Sequence, residues 1–368
     1  MGESLRKRAE LRLRRWLLRR WTGPTPTVVD TPTPLLHLRP GARVLFLRQD
    51  RIGDVLVSIP VLRSFHRHFP TVSAELLLGQ SNWDVRHAVR PYISRCWLYE
   101  KTPTAILRLL SRLRARYYDV IVDLTDNPSV TSSLLLTLIP ARARVGIAKG
   151  NEGAYTHVVP LLERSCTHIV ERIAQLLLPF GIDPRSEELH LEYPISEADR
   201  QWALSVLGPC QKAYRVGITI SASHPNKTWA PEQWSEFLTA LSGRHPEAEI
   251  LVFASPAHAH VQRDIVTASG VRPAPIMPSF HQFAALLESC HIIVTPDTAA
   301  VHLAAAWKRP CVALYVWDRP ELMPWLPYRS PHEAVYTRQS SLQGLSVHDV
   351  LAAFERLIYR YQLPTARQ

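Results

Sequence analysis

At 368 residues the chain has room for two ordinary domains, each with its own core. Hydrophobic residues make up 46% and charged residues 20%, which excludes a disordered chain, and a formal net charge of +11 calls for an anionic partner: nucleic acid, a membrane surface or a phosphorylated substrate. Cys96, Cys166, Cys210, Cys290 and Cys311 are scattered without a CxxC pair, which argues against a zinc site or disulfide framework and suits a reducing compartment.

The charge is uneven. Residues 1–20 hold eight Lys or Arg against Glu3 and Glu10, so much of the basicity belongs to an amino-terminal arm. Leu5, Leu11, Leu13, Trp16, Leu17 and Trp21 sit among those arginines at helical intervals. Such a helix either lies on an anionic membrane surface or packs on the domain or a partner subunit. It has no uninterrupted apolar stretch of a signal peptide, and no segment is long enough to span a bilayer, so a cytoplasmic protein is expected. The proline-dense segment 22–41 reads as a linker.

From Ala42 the pattern is strand then helix, repeated. "RVLFLR", "AELLLG" and "DVIVDLT" are short apolar strands; "VLVSIPVLRSFHRHF", "PTAILRLLSRLRARY" and "NPSVTSSLLLTLI" read as helices between or after them, and "HIVERIAQLLLPFGI" closes the half. A polar, proline-containing stretch over 183–194 marks a boundary. A second series follows, with strands "RVGITI", "EILVFA", "HIIVTP" and "PCVALY" and intervening helices, then a last helix near 347–361 expected to pack back on the first half. Uniformly apolar strands alternating with helices imply parallel sheets covered on both faces. Two such doubly wound halves are expected to face each other across a cleft at the carboxyl ends of their strands, where ligands of open α/β sheets bind.

Three loops carry chemistry. In "LRQDRIGDVLVSIPVL", Asp50, Arg51, Gly53 and Asp54 follow a buried strand. The glycine permits a sharp turn or close approach of a ligand, and Asp54 falls near a helix start, so the carboxylates either cap that helix or serve a site. In "ITISASHPNKTWAPEQW", Ser221, Ser223 and Lys227 precede a helix. Hydroxyls, exposed N–H groups and a lysine bind phosphate, although a solvated surface lysine fits the same residues. Trp229 and Trp234 would anchor that loop. In "IIVTPDTAAVHLAAAW", Asp297 and Thr298 stand at a helix amino end with His302 about one turn in. Asp123 and Asp126 end another strand and read first as caps, with a part in an acceptor pocket as the alternative.

In this order the three stretches resemble glycosyltransferase family 9, the ADP-heptose:lipopolysaccharide heptosyltransferases, through Asp50 to Pro60, Lys227 to Trp234 and "DTAAVH", from about Arg43 to the carboxyl terminus. The resemblance implies a GT-B fold, α/β, of two Rossmann-like doubly wound domains facing a central cleft. The expected divisions are a basic arm and linker over 1–40, an acceptor-binding domain over 41–190, a nucleotide-sugar-binding domain over 195–345, and a carboxyl-terminal helix over 346–368. It implies inverting, metal-independent heptose transfer from ADP-heptose to a lipopolysaccharide core. Asp54 would be the base. Ser221, Ser223, Lys227, Asp297, Thr298, Ala299 and His302 would bind the donor, and Arg48, Arg51 and Gly53 the acceptor. No cofactor is expected. An inverting transfer needs one base for the acceptor hydroxyl and stabilisation of a departing diphosphate, which a lysine, hydroxyls and a helix terminus supply without metal. No Asp-x-Asp pair exists in the sequence.

The chain departs from the family pattern where Ala299 replaces a glycine, where "VFASPAHAHVQ" lacks an acid and has His258 nearby, and where "VWDRPELMPW" follows the last apolar strand. An inactive sugar-nucleotide-binding partner of envelope assembly is the alternative, as is a member using another nucleotide-sugar or a protein acceptor. A nucleic-acid partner is not expected, because the charge is concentrated in the arm and no nucleic-acid motif appears. No GxGxxG follows any strand, which argues against a dehydrogenase. An anionic acceptor on the inner face of the cytoplasmic membrane, with residues 1–21 on the lipid, accounts for the basicity.

Overall fold

The computed structural model describes residues 25–362, so the basic arm expected over 1–21 lies outside the described residues, as do residues 363–368. The chain forms two compact units. One runs to Glu163 and resumes over Ile169–Leu189; the other takes Arg164–His168 and everything from His190.

The first unit is built on seven strands: β1 (Thr27–Val28), β2 (Arg43–Arg48), β3 (Ser73–Gly79), β4 (Arg95–Tyr99), β5 (Tyr118–Asp123), β6 (Ala141–Ile147) and β7 (His157–Val159). They form one sheet in the order β1-β7-β6-β5-β2-β3-β4, parallel throughout. The central strands are buried on both faces, hence their unbroken apolar runs. Segment 25–41 is not a free linker: Thr27 and Val28 pair with His157 and Val158, and Pro34 bridges Phe180. The long helix expected after β2 is two, Ile52–Leu56 and Ile59–His68. Pro60 has no N–H to donate to the Leu56 carbonyl, so the ladder stops there.

The second unit has β8 (Tyr214–Thr219), β9 (Ala248–Phe253), β10 (Arg272–Pro273), β11 (Ile292–Pro296), β12 (Cys311–Val316) and β13 (His332–Thr337). Its order is β10-β9-β8-β11-β12-β13, again all parallel. The last helix, Val347–Arg360, is part of the second unit. Its buried face of Val350, Leu351, Phe354 and Leu357 belongs to the core formed by β8, β9, β11 and β12 and the helix Pro231–Arg244, and its apolar stripe is spent there.

Each sheet reverses its winding once. From β2 the chain moves outward to β3 and β4, then returns beside β2 to begin β5. From β8 it moves to β9 and β10, then returns beside β8 to begin β11. At such a switch point neighbouring strands send their following loops apart and leave a crevice at their carboxyl ends. The loops after β2 and β5, and those after β8 and β11, are the sequences singled out above.

Candidate functional site

In the first unit, Asp54 is the third residue of the short helix Ile52–Leu56. Its Oδ2 accepts the Arg51 N–H at 3.0 Å, and Oδ1 lies 3.5 Å from Arg48 Nη2. Asp54 therefore does cap its helix, yet 18% of its side chain stays exposed, so capping orients the carboxylate without closing it off. Arg51 is exposed at the loop tip. Gly53 lies in the first helical turn, outside the positive-φ residues, and is half-buried.

Arg48, expected at the acceptor, is held by local groups. It is 1% exposed, and its guanidinium turns inward, with Nε donating to the Asp54 carbonyl at 2.8 Å and Nη1 3.6 Å from Asp50 Oδ2. The loop is pinned from beneath by the end of β3. Asn82 donates to the Arg48 carbonyl at 2.9 Å, Ser81 Oγ donates to the Asp50 carbonyl at 2.6 Å, and Gly79 packs on the Gln49 backbone so closely that a Cβ there would stand 2.5 Å from its carbonyl oxygen.

Beside it, the carboxyl ends of β5 and β6 hold a buried polar network. Asp123, fully buried, accepts Lys149 Nζ at 2.9 Å and Tyr155 OH at 2.7 Å on Oδ2 and Thr125 Oγ1 at 2.9 Å on Oδ1. Asp126 pairs with Arg172 at 3.0 Å, both 4% exposed. Neither aspartate caps the next helix; Ser129 does. A buried carboxylate has to be paired and hydrogen-bonded to be tolerated, and these are. Burial, with Asp54 and Asp123 adding to it, holds the Asp50 carboxyl above its ordinary value against the pull of Arg48 and Lys149. Lys149 was not anticipated; its one signal was a charged "AKGNEG" turn directly after a strand.

In the second unit, β8 and β11 are neighbours, with Ile218 opposite Val294, so their loops meet. Lys227 Nζ is ion-paired with Asp297 Oδ2, both side chains partly exposed. Trp229 and Trp234, 0% and 1% exposed and stacked edge to face at 4.9 Å, root the lysine loop, and Trp229 Nε1 donates to the Leu345 carbonyl at 3.2 Å. Thr298 caps the helix Ala299–Ala306 by accepting the Ala300 N–H, and its hydroxyl lies 3.1 Å from that of Thr295. Ala299 opens that helix, and His302, one turn in, is 3% exposed with its Nδ1 lacking a hydrogen bond. Burial, with Lys227 nearby, pushes the imidazole down to about 4, so it is neutral at physiological pH.

Ser221 accepts the Ser255 N–H at 2.8 Å and so ties the loop after β8 to the one after β9. Ser223 is exposed on a cavity of about 610 Å³ whose walls include Trp229, His258 and Gln343. His258, held by Ser255 Oγ at 2.9 Å, stands at that wall. Among the described residues, no three His, Cys, Asp or Glu are grouped to hold a metal, and no helix is long and apolar enough to cross a membrane.

The architecture is that of a GT-B glycosyltransferase. Residues 106–350 match the model of glycosyltransferase family 9 (heptosyltransferase), and the chain belongs to that family. It is 25% identical over 342 residues to lipopolysaccharide heptosyltransferase 3 of Escherichia coli K12, covering 83% of this chain and 95% of the relative. Its fold is similar to a family 9 glycosyl transferase of Veillonella parvula (TM-score 0.74, 18% identity, 89% of this chain, 99% of that one). It is likewise similar to the ADP-heptose lps heptosyltransferase II of E. coli (TM-score 0.69, 20% identity, 87% and 99%). The family match begins after the Asp54 loop, whereas the E. coli relative's alignment spans most of the chain.

Proposed function

We propose that this enzyme is an inverting, metal-independent transferase that moves a heptose from ADP-heptose to a lipopolysaccharide core acceptor. The observation that carries the reading is the Lys227–Asp297 pair, flanked by Thr298 and the amino end of Ala299–Ala306. A lysine, hydroxyls and helix N–H groups on one crevice stabilise a diphosphate leaving group. The names of the E. coli relatives, lipopolysaccharide heptosyltransferase 3 and ADP-heptose lps heptosyltransferase II, support the donor and the acceptor.

In the reaction, Asp54 takes the proton of the acceptor hydroxyl while that oxygen attacks the anomeric carbon. The bond from that carbon to the diphosphate oxygen breaks, and ADP leaves with the electron pair, its charge met by Lys227. Neutral His302 hydrogen-bonds the donor, and Asp297 exchanges Lys227 for sugar hydroxyls. Ser223 and the cavity beside it take the nucleoside end, and Ser221 supports them from behind. Arg51 and Gly53 meet the acceptor. The enzyme works at the inner face of the cytoplasmic membrane, with residues 1–21 on anionic lipid.

Calorimetric titration with ADP and with UDP, in EDTA, tests the donor side. ADP is expected to bind at least tenfold tighter than UDP, and Lys227→Ala to lose most of that affinity. Preference for UDP would move the donor, and binding of neither nucleotide would remove the catalytic reading.

A further inference from the structure

Arg48 is almost wholly buried, and its guanidinium faces two carboxylates rather than one. Nη1 lies 3.6 Å from Asp50 Oδ2, and Nη2 lies 3.5 Å from Asp54 Oδ1 without forming a hydrogen bond. With both carboxylates ionised the trio carries one net negative charge. When Asp54 accepts a proton the trio becomes neutral. Without Asp50, the same step would leave a buried guanidinium with no counter-ion, which is among the costlier states a protein interior can hold. The neighbouring charges do not fill that role. Lys149 and Asp123 compensate each other at 2.9 Å, and Arg51 brings no carboxylate.

We propose that Asp50 is the counter-charge that enables Asp54 to act as a base: a positioning residue that keeps Arg48 compensated at the moment Asp54 is neutralised. This rests on Asp54 being the base of the proposed transfer. Arg48 fixes the aim of Asp54 through the carbonyl bond at 2.8 Å, and Asp50 offsets the cost of having a guanidinium so close to a group that must accept a proton. Asp50 keeps 38% of its side chain exposed, within reach of solvent, while Arg48 keeps 2%.

Asp50→Asn removes the charge and keeps the shape. With ADP-heptose and heptose-deficient lipopolysaccharide as substrates, its kcat is expected to fall about 3–10-fold, because a more weakly basic Asp54 abstracts the proton more slowly. The acid limb of the kcat–pH profile is expected to move to lower pH by about half to one unit. The acceptor KM should be unchanged, and Asp50→Glu should restore the limb. A second measurement needs no turnover: in protein carrying carbon-13 aspartate, the Asp54 carboxyl signal, assigned by its loss in Asp54→Asn, should titrate at lower pH in Asp50→Asn than in the wild type. A limb and an Asp54 titration that stay in place, or that move upward, would overturn the counter-charge. Full transfer by Asp54→Asn would overturn the base and this inference together, whereas an inactive Asp54→Asn beside an unaltered Asp50→Asn profile would overturn this inference alone.

Discussion

Lys149→Met removes the cation from the buried network at the end of β5 and β6. The Lys149 side chain is 1% exposed, Asp123 is fully buried, and they meet at 2.9 Å. Breaking a buried pair by deleting one partner costs about 3–5 kcal/mol, because a charge is left uncompensated in a poorly solvating place. Asp123 would keep Tyr155 OH at 2.7 Å and Thr125 Oγ1 at 2.9 Å, two donors that soften the loss and favour the lower end, about 3 kcal/mol. For a unit of this size that is a fall in Tm of roughly 6–12 °C. Scanning calorimetry reads it directly. The double variant Lys149→Met/Asp123→Asn, which removes both charges, should recover most of the stability, giving a coupling of at least about 2 kcal/mol. A single variant within about 1 kcal/mol of the wild type, or a double variant no better than the single, would refute the view that this pair is energetically closed.

Two further outcomes are expected. His302 has an ordinary value of 6.5 and about 4 when folded, so between those values the unfolded chain binds the extra proton; stability is present above pH 6.5 and lost as pH falls toward 4, by on the order of 3 kcal/mol. Urea unfolding of wild type and His302→Phe at pH 7 and pH 4.5 checks this, and the variant should lose markedly less on acidification. Gly79→Ala drives a Cβ into the Gln49 carbonyl and displaces the loop bearing Asp50 and Asp54; transfer is expected to fall more than tenfold with ADP affinity, measured by calorimetry, unchanged.

Much of this architecture is legible in the residues, for reasons that differ along the chain. β2, β5, β8 and β11 announce themselves because a strand buried on both faces is uniformly apolar. β4, β6 and β13 escape the same reading. "RCWLY", "ARARVGI" and "HEAVYT" mix polar with apolar residues along half-covered strands, and no local feature separates them from loops. The site divides likewise. Lys227, Asp297 and Thr298 sit in loops whose polarity is conspicuous after apolar strands, and the fold brings them together because their strands are neighbours. The burial of Arg48 is not legible, since the sequence shows an arginine before a charged turn but not which way its guanidinium faces. Which core the last helix joins is not legible either, because amphipathicity specifies that a face is buried, not against which sheet.

The pairing of Thr27 and Val28 with His157 and Val158 bears on how the protein is made. Thr27 and Val28 leave the ribosome roughly 130 residues ahead of their partners in β7, several seconds at ordinary elongation rates. The centre of the sheet, β2 with β3, is by then available to form. β1 can join the first unit's sheet only once β7 has been made, and it covers the outer side of that three-residue strand, whose backbone groups would otherwise invite another chain.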